Sequence, residues 1–221
     1  MLKKFLNTLS KLATNRAPIN PSVFGDPFAE QVEWTPLKRG GASFFTHRLA
    51  KPNLNRIEFR ASMGAKLFSG LFILAGVGAA VGFTGSQVAN GTFSQRVETL
   101  LPIGIGTLFV AVGGWMFHHF TAPIIFDKHE GFFWKGKKSP TRTYRKTSLK
   151  DFTEIDQIHA LQLISEYCRG DKNSYYSYEL NLVLRDGKRL NVVDHGSQDE
   201  LRGDAGALSE FLEKPVWDAI Q

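Results

Sequence analysis

The sequence predicts an α+β membrane protein, in which a hairpin of two transmembrane helices is joined to a cytoplasmic antiparallel β domain that a C-terminal helix closes. Two runs in the middle of the 221-residue chain contain no charged residue, and each is about as long as a bilayer is thick. Basic residues flank both runs. Beyond them, alternating apolar and polar residues are typical of strands, and a helical stripe follows near the end.

The two uncharged runs cover residues 67–83 and 100–117. As a helix, each would extend roughly 26 Å at about 1.5 Å per residue, which approaches a hydrocarbon core of about 30 Å. Both runs are rich in glycine and would make poor helices in water. We therefore predict transmembrane helices at residues 66–84 and 100–119, joined by an external loop at 85–99. The alternative is a buried pair of core helices in a soluble protein.

The charges of the flanking segments predict the orientation. Residues 46–66 carry five Lys or Arg and residues 118–138 carry four, whereas residues 84–99 carry only Arg96. Because segments rich in Lys and Arg stay in the cytoplasm, both termini are expected there, with the chain in the inner (plasma) membrane. The formal net charge of +6 follows these flanks rather than one compact patch, so the lipid bilayer and not nucleic acid is the expected partner.

Small residues recur at helical spacing in both spans. Gly78 and Gly82 are four residues apart in the first span, and Gly106 and Gly114 are eight apart in the second. Such spacing allows helix backbones to approach closely. We expect the two spans to pack against each other through these glycines, and association into a homo-oligomer through the same faces is the alternative.

Three segments are expected ahead of the spans. Residues 1–16 combine apolar residues at helical spacing with lysines on other faces, which is typical of an amphipathic helix on the membrane surface, although a disordered basic segment has the same composition. Residues 17–42 contain four prolines and are predicted to form an extended linker. Residues 43–62 include two short strand patterns, at 43–49 and 56–60 with a turn at Lys51-Pro52-Asn53 between them, and both are expected to pair with the C-terminal domain.

The cytoplasmic β domain is predicted to cover residues 122–221. A hairpin is expected at 123–134, and residues 155–167 are apolar on both faces, as in a covered strand, although a helix is the rival interpretation. Residues 176–184 alternate cleanly and lead to Asp186-Gly187, a dipeptide that favours a tight turn into a returning strand.

A terminal helix is predicted to close this domain. Ser197 and Glu200 have the spacing of a capping box, and Pro215 marks the end of the helical pattern. Trp217 is expected to pack the tail back onto the domain. The apolar stripe of the helix consists of Leu201, Ala205, Leu208 and Leu212.

Strands followed by one closing amphipathic helix, directly behind a two-span hairpin, resemble the pleckstrin-homology-like (PH-like) domains of bacterial membrane proteins. The runs YELNLVLRDGKRLNVVDHG at 178–196 and FLEKPVWD at 211–218 are similar to those of an uncharacterised group of bacterial two-span membrane proteins. The resemblance covers the order of elements over roughly residues 123–221 and includes no diagnostic motif. It implies a shared fold in the bacterial inner membrane and no known chemistry.

Few groups are arranged for catalysis. His118 and His119 lie at the cytoplasmic end of the second span, where two imidazoles could hold a metal or relay protons, but neighbouring helix residues point about 100° apart. Asp194-His195 leads into the terminal helix, where short polar residues commonly bond to backbone groups. We therefore predict no enzyme activity and no cofactor, with a small metal or proton-relay enzyme at His118 and His119 as the alternative.

A basic loop after the second span is the main candidate site. Each of its cations would contribute about 1 kcal/mol of attraction near anionic lipid, whereas a solvated loop is the plainer interpretation. We expect a membrane-anchored binding or scaffold module that engages anionic lipid headgroups or a protein partner in a membrane complex. The candidate residues are Lys135, Lys137, Lys138, Arg142, Arg145 and Lys146, with Lys150 at the end of the same loop.

Overall fold

The computed structural model describes residues 19–41, 43, 46–93, 97–140, 151–169 and 174–220. The chain divides into two compact units. We call Phe45–Thr153 the hairpin unit, and we call Met1–Phe44 together with Glu154–Gln221 the terminal unit. The surface segment predicted at 1–16 lies outside the described residues and stays a prediction.

The hairpin unit is built on a five-stranded sheet, whose strands follow the chain in order across the sheet. They are β1 His47–Asn53, β2 Arg56–Ala61, β3 Ile124–Asp127, β4 Phe132–Lys135 and β5 Phe152–Glu154. The first four strands pair antiparallel. The ring of Phe126 lies 6.4 Å from that of Phe59 and 4.7 Å from that of Phe133, and all three are fully buried. These rings form an aromatic core on one face of the sheet.

Two long helices are inserted between β2 and β3, namely α1 Met63–Ala89 and α2 Val97–Phe120. The side chain of Ser62 accepts a hydrogen bond from the backbone N–H of Ala65 at 3.2 Å, which starts α1 directly after β2. β2 and β3 pair with each other, with Phe59 opposite Ile124. The helical hairpin therefore leaves the sheet and returns to it at the same end.

Both helices are long and apolar enough to cross a membrane, by length and composition. Only 11% of each candidate span is buried within the protein. A surface helix of a water-soluble protein would hide its apolar stripe instead. The prediction of two long apolar helices is confirmed, and both extend past the predicted ends. Bulky exposed side chains along them include Leu67, Leu71, Leu74, Val81, Leu101, Leu108 and Trp115.

The two helices contact each other through glycines that the spacing only partly predicted. A Cβ atom added to Gly76 would lie 2.6 Å from the carbonyl oxygen of Gly106, so both positions require glycine. Helix residues two positions apart point about 200° apart, so Gly76 and Gly78 cannot both face α2. Gly106 is the one predicted glycine at this contact. Open space surrounds the other three, which are Gly78, Gly82 and Gly114.

The terminal unit contains a four-stranded sheet with strand order β8-β7-β6-β9. Its elements are β6 Ile158–Cys168, β7 Tyr175–Leu184, β8 Arg189–His195, α3 Gln198–Leu212 and β9 Val216–Asp218. Neighbouring strands are antiparallel except that β9 lies parallel to β6, with Trp217 opposite Gln162. Trp217 is buried, as predicted, but the strand that carries it was not predicted.

Local patterns predicted the rest of this sheet well. A strand and not the rival helix occupies most of 155–167. Gly187 has a φ of 81° in the turn between β7 and β8, and the side chain of Ser197 accepts from the backbone N–H of Glu200 at 3.5 Å. The predicted stripe of α3 is buried, namely Leu201, Ala205, Leu208 and Leu212.

The two faces of this sheet differ in polarity. Strand alternation places Leu180 and Leu182 on one face, where both are fully buried, and α3 contacts the same strand. Glu179 and Asn181 point to the opposite face, and they too are buried. A second covering layer must therefore lie over the polar face.

The N-terminal residues that were predicted as an extended linker supply this layer. They form two short 3-10 helices, Pro21–Phe24 and Pro27–Glu30, which the side chains of Asn20 and Asp26 cap. The linker prediction is wrong for the described residues, because proline breaks a helix interior but suits its first positions. One buried cluster joins this segment to the sheet, namely Ala29, Val32, Ala160, Val183 and Trp217.

The strands of the predicted β domain at 122–221 lie in two sheets. β3 pairs with β2, and β4 and β5 continue the same sheet, whereas β6 to β9 form the sheet of the terminal unit. The strand patterns at 43–62 form β1 and β2, and β2 joins them to the sheet of β3, β4 and β5 rather than to that of β6 to β9. Strand periodicity shows which residues share a face but not which strand lies alongside, so the sequence left this division open.

Candidate functional site

Basic residues gather in the hairpin unit at the end of the sheet where the helices begin and end. Ser62 joins β2 to α1 there, and Pro123 precedes β3 after α2. A strand advances about 3.3 Å per residue, so positions within two residues of these junctions lie roughly 7 Å or less from the helix ends. We call the following set the basic collar: Arg48, Arg60, Lys66, Lys135, Lys137 and Lys138.

One side of the collar is set by the β1–β2 ladder. Arg60 precedes Ser62 by two residues, and Arg48 lies directly opposite Arg60. Both arginines are exposed. Lys66 follows in the first turn of α1 and is also exposed. Three cations therefore surround the start of the first span.

The other side is set by the β3–β4 ladder. Lys135 lies opposite Ile124, the first residue of β3. The backbone N–H of Gly136 donates to the carbonyl oxygen of Pro123 at 2.7 Å, which holds the chain after β4 beside the junction of α2 and β3. The lysines that follow are thereby kept close to the end of the second span.

Three of the predicted cations fall within the described residues. Lys137 and Lys138 are exposed, and Lys135 is half-buried at the end of β4. All three lie at or just after the end of β4, on the side of the sheet where α2 ends, and their role in binding stays a prediction. The remaining predicted cations lie outside the described residues, and their placement stays a prediction: Arg142, Arg145, Lys146 and Lys150.

The alternative site, at His118 and His119, occupies the last turn of α2. The two rings are almost perpendicular, with centroids 5.5 Å apart, and the ring of Trp115 lies 4.8 Å from that of His119. Across the ranges that the structure describes, no group of three or more His, Cys, Asp or Glu is arranged to hold a metal ion. A tryptophan near the end of an apolar helix is typical of a membrane interface, and the two imidazoles lie beside it.

Arg48 and Arg60 were counted among the flanking charges but were not predicted as a pair. Their pairing follows from the turn at Leu54, because residues equally distant from the middle of a hairpin turn face each other. The strand patterns placed the first strand too early, at 43–49, with the turn at Lys51-Pro52-Asn53. A turn centred two residues later, at Leu54, would have shown the pair.

The far end of the same sheet offers a natural comparison for the collar. Leu54 is 94% exposed in the β1–β2 turn. Lys51 and Lys128 lie at this end and are exposed. The far end thus carries two exposed lysines, as the collar does, but the length of the strands separates them from the helices.

A second polar cluster lies within the terminal unit, where sheet side chains hold residues 33–41, which we call the strap. The buried carboxylate of Glu179 accepts the backbone N–H groups of Leu37 and Lys38, each at 2.9 Å. It also accepts the side-chain amides of Asn181 at 3.0 Å and Asn191 at 3.2 Å. Four donors offset the cost of taking a carboxylate out of water.

Other sheet side chains bond to the carbonyl groups of the strap. Gln162 donates to the carbonyl oxygen of Glu33 at 3.0 Å, and Arg189 donates to that of Thr35 at 2.8 Å. All these bonds reach the backbone of the strap rather than its side chains. We therefore interpret the cluster as a fastening that holds the strap on the sheet.

Aromatic contacts and one side-chain hydrogen bond fasten the segment that precedes the strap. The Nε2 atom of His159 lies 2.7 Å from a carboxylate oxygen of Asp26, and this bond lowers the pKa of the Asp26 carboxyl group. The ring of His159 lies 4.8 Å from Phe28 and 5.7 Å from Trp217. The N-terminal cover is thus attached by both apolar and polar contacts.

Comparison of the chain with family models, with curated proteins and with solved structures finds no match. What the protein does must therefore be inferred from its own geometry. The basic collar is the surface on which charge, exposure and position coincide.

Proposed function

We propose that this protein is anchored in the inner membrane of a bacterium by its helical hairpin, and that it acts without catalysis as a module that binds anionic lipid headgroups. One observation carries the proposal. Strand register gathers the cations of the basic collar at the end of the sheet from which both apolar helices depart. If the helices cross the bilayer, the collar lies at the level of the headgroups.

The exposure of the helices supports the membrane anchor. Spans that are only 11% buried would leave a large apolar area in water, at about 25 cal/mol per Å², whereas lipid removes this cost. The imbalance of charge supports the orientation. The collar lies at one end of the helices, so both termini belong on the cytoplasmic side.

Electrostatic attraction supports headgroup binding. Each collar cation contributes about 1 kcal/mol near an anionic surface, and this attraction weakens as the Debye length shortens with salt. The collar offers five exposed cations and one half-buried lysine. A protein partner is the alternative ligand for the module, and the collar favours lipid because its cations adjoin the spans.

The PH-like resemblance of residues 122–221 belongs to the proposal as well. PH-like domains are small β structures closed by a C-terminal helix, and α3 supplies such a helix beside β6 to β9. The division of the β strands between two sheets means that any such domain would be built from the terminal unit alone.

Quenching of tryptophan fluorescence by brominated lipid tests the proposal on the full chain. Trp115 is 60% exposed near the end of α2, whereas Trp134 and Trp217 are 2% and 1% exposed and Trp34 is half-buried in the terminal unit. Acyl-chain bromine should therefore quench mainly Trp115, which lies on an apolar helix. In phosphatidylcholine vesicles that contain brominated phosphatidylglycerol, we expect the protein to enrich the anionic lipid several-fold at low salt. The enrichment should fall as ionic strength rises.

Two matched double variants distinguish the effect of the collar from the effect of the net charge of the protein. Lys137→Gln with Lys138→Gln should reduce the enrichment, whereas Lys51→Gln with Lys128→Gln removes the same charge at the far end and should leave it unchanged. Equal quenching by brominated phosphatidylglycerol and brominated phosphatidylcholine in the unmodified protein would overturn the proposed function.

A further inference from the structure

Within the collar, two positively charged arginines lie opposite each other on neighbouring strands. Arg48 and Arg60 are direct cross-strand partners in the β1–β2 ladder, so their side chains leave the same face of the sheet. Like charges in this position repel each other. An anion placed between the two side chains would be attracted by both and would offset the repulsion between them.

The guanidinium group of Arg60 is held in a fixed direction. Its Nε–H donates to one carboxylate oxygen of Glu58 at 2.7 Å, and the Nε–H of Arg56 donates to the other at 2.7 Å. Glu58 is thereby fixed from both sides, and its side chain is only 12% exposed. The bond to Nε leaves both terminal NH₂ groups of Arg60 at the outer end of a side chain that is 59% exposed.

Arg56 does not compete for an external anion. It also donates to a carboxylate oxygen of Asp127 at 3.3 Å, and its guanidinium carbon lies 5.6 Å from the ring centroid of Trp134. In the part of the chain that the structure describes, Arg48 has no acidic partner, and Arg60 has only Glu58. The pair therefore has spare positive charge and spare donors.

The chemistry of the pair selects among phosphates. A guanidinium group binds two phosphate oxygens side by side, which an ammonium group cannot do. A phosphomonoester carries between one and two negative charges and three terminal oxygens, whereas a phosphodiester carries one charge and two such oxygens. Two facing guanidinium groups match the monoester better in both charge and number of donors.

We propose that Arg48 and Arg60 form a clamp for a phosphomonoester group at the membrane surface, and that the ligand is a phospholipid with a terminal phosphate. The clamp rests on the proposed function, because it places a lipid headgroup at the collar. Glu58 positions Arg60 within it. Arg60 lies two residues from the start of α1, which puts the clamp at the height of lipid phosphates.

The test compares two anionic lipids on the full chain in phosphatidylcholine vesicles. Quenching of Trp115 is measured with brominated phosphatidic acid, a monoester, and with brominated phosphatidylglycerol, a diester. We expect a preference for phosphatidic acid on the order of fivefold, as one or two extra charge-assisted hydrogen bonds would give. Arg48→Lys with Arg60→Lys keeps the charge but removes paired donation, and it should abolish this preference while the enrichment of phosphatidylglycerol persists.

The outcomes separate the clamp from the proposed function. Enrichment of phosphatidylglycerol over phosphatidylcholine without a preference for phosphatidic acid overturns the clamp alone, as does a preference that survives both Arg→Lys changes. Loss of all anionic enrichment in the unmodified protein overturns the proposed function first. An unchanged thermal midpoint in the double Arg→Lys variant verifies that it is folded.

A second arm of the experiment tests whether the ligand is a soluble phosphate rather than a lipid. Inorganic phosphate is titrated calorimetrically into the lipid-free protein in zwitterionic detergent. Little or no heat is expected, because in this proposal the phosphate group reaches the clamp as part of a membrane lipid. Binding of inorganic phosphate that disappears in the double Arg→Lys variant would overturn the lipid assignment and leave a site for soluble phosphate.

Discussion

Helix α3 of the terminal unit and helix α1 of the hairpin unit differ in where their apolar side chains lie. α3 hides one leucine-rich stripe and presents polar residues elsewhere. α1 is apolar on all sides, and residues such as Leu74 and Val81 stand exposed. In the first case the protein itself removes the apolar side chains from water. In the second case the apolar side chains stay exposed, and the proposed function places them in lipid.

The comparison also teaches what holds each region together. In the terminal unit, fully buried leucines lie between α3 and the sheet, so apolar burial drives the packing. In the hairpin unit, α1 and α2 meet at Gly76 and Gly106, where the backbones come close. In lipid, which is as apolar as leucine, close backbone packing rather than burial would hold such helices together.

Truncation of leucines should give the largest contrast between the two regions. Leu208→Ala in α3 leaves a cavity at a side chain that is 0% exposed, and we expect it to lower the free energy of unfolding by about 3 kcal/mol. Leu74→Ala in α1, at a side chain that is 71% exposed, should change it by less than about 0.5 kcal/mol. Chemical denaturation of both variants in detergent checks this, and equal costs would break the comparison.

Enlargement of a glycine should give the next largest effect. Gly106→Leu forces the backbones of α1 and α2 apart, at a cost of about 2 kcal/mol. Gly114→Leu on the same helix meets open space and should be tolerated. Unfolding of the full chain by sodium dodecyl sulfate, followed through its helical signal, measures both variants. A tolerated Gly106→Leu would mean that the two helices do not pack as described.

Removal of the charge that fastens the strap should have a smaller and local effect. Glu179→Gln loses the charge that four N–H donors share, and we expect local stability to fall by about 1.5 kcal/mol. Exchange of the backbone amides of Leu37 and Lys38 should then accelerate about tenfold. Glu30→Gln is the matched control, since that exposed carboxylate lies just outside the strap. Unchanged protection of both amides in Glu179→Gln would contradict the fastening role.

The smallest predicted effect depends on pH. Burial, with the nearby charge of Glu200, raises the pKa of Asp204 on α3 to about 6. Because the pKa is higher in the folded state, Asp204 supports stability below about pH 4, and this support is lost as the pH rises through 6. Asp204→Asn should therefore stabilise the protein at pH 8 by about 1 kcal/mol, allowing for partial solvent screening.

Urea denaturation at several pH values measures this effect. The unmodified protein should lose stability relative to Asp204→Asn between about pH 4 and pH 6. Parallel pH profiles of the two proteins would show that Asp204 titrates normally.

Features that depend on a few neighbouring residues were predicted from local sequence patterns. Charge-free runs gave the two long helices, Asp186-Gly187 gave a hairpin turn, and Ser197 gave the start of α3. Lys137 and Lys138 were predicted as candidates because positive charges beside an apolar run can be read along the chain. Each of these signals is complete within a few residues.

What could not be predicted depends on contacts between distant residues. The strap is held by Glu179, which is 142 residues from Leu37 in the chain. The pair of Arg48 and Arg60 depends on the register of β1 against β2, and a shift of the turn by a few residues changes every partner. Periodicity specifies faces and not partners, so both features required the structure.

The central claim is that α1 and α2 cross the membrane with the basic collar on the cytoplasmic side. Single cysteines at Asn90→Cys, beyond the end of α1, and at Leu54→Cys, in the β1–β2 turn, test it in a Cys168→Ser background. In right-side-out membrane vesicles, an impermeant maleimide should label Asn90→Cys at once and Leu54→Cys only after permeabilisation. Labelling of Leu54→Cys in sealed vesicles, or of both positions alike, would contradict the account.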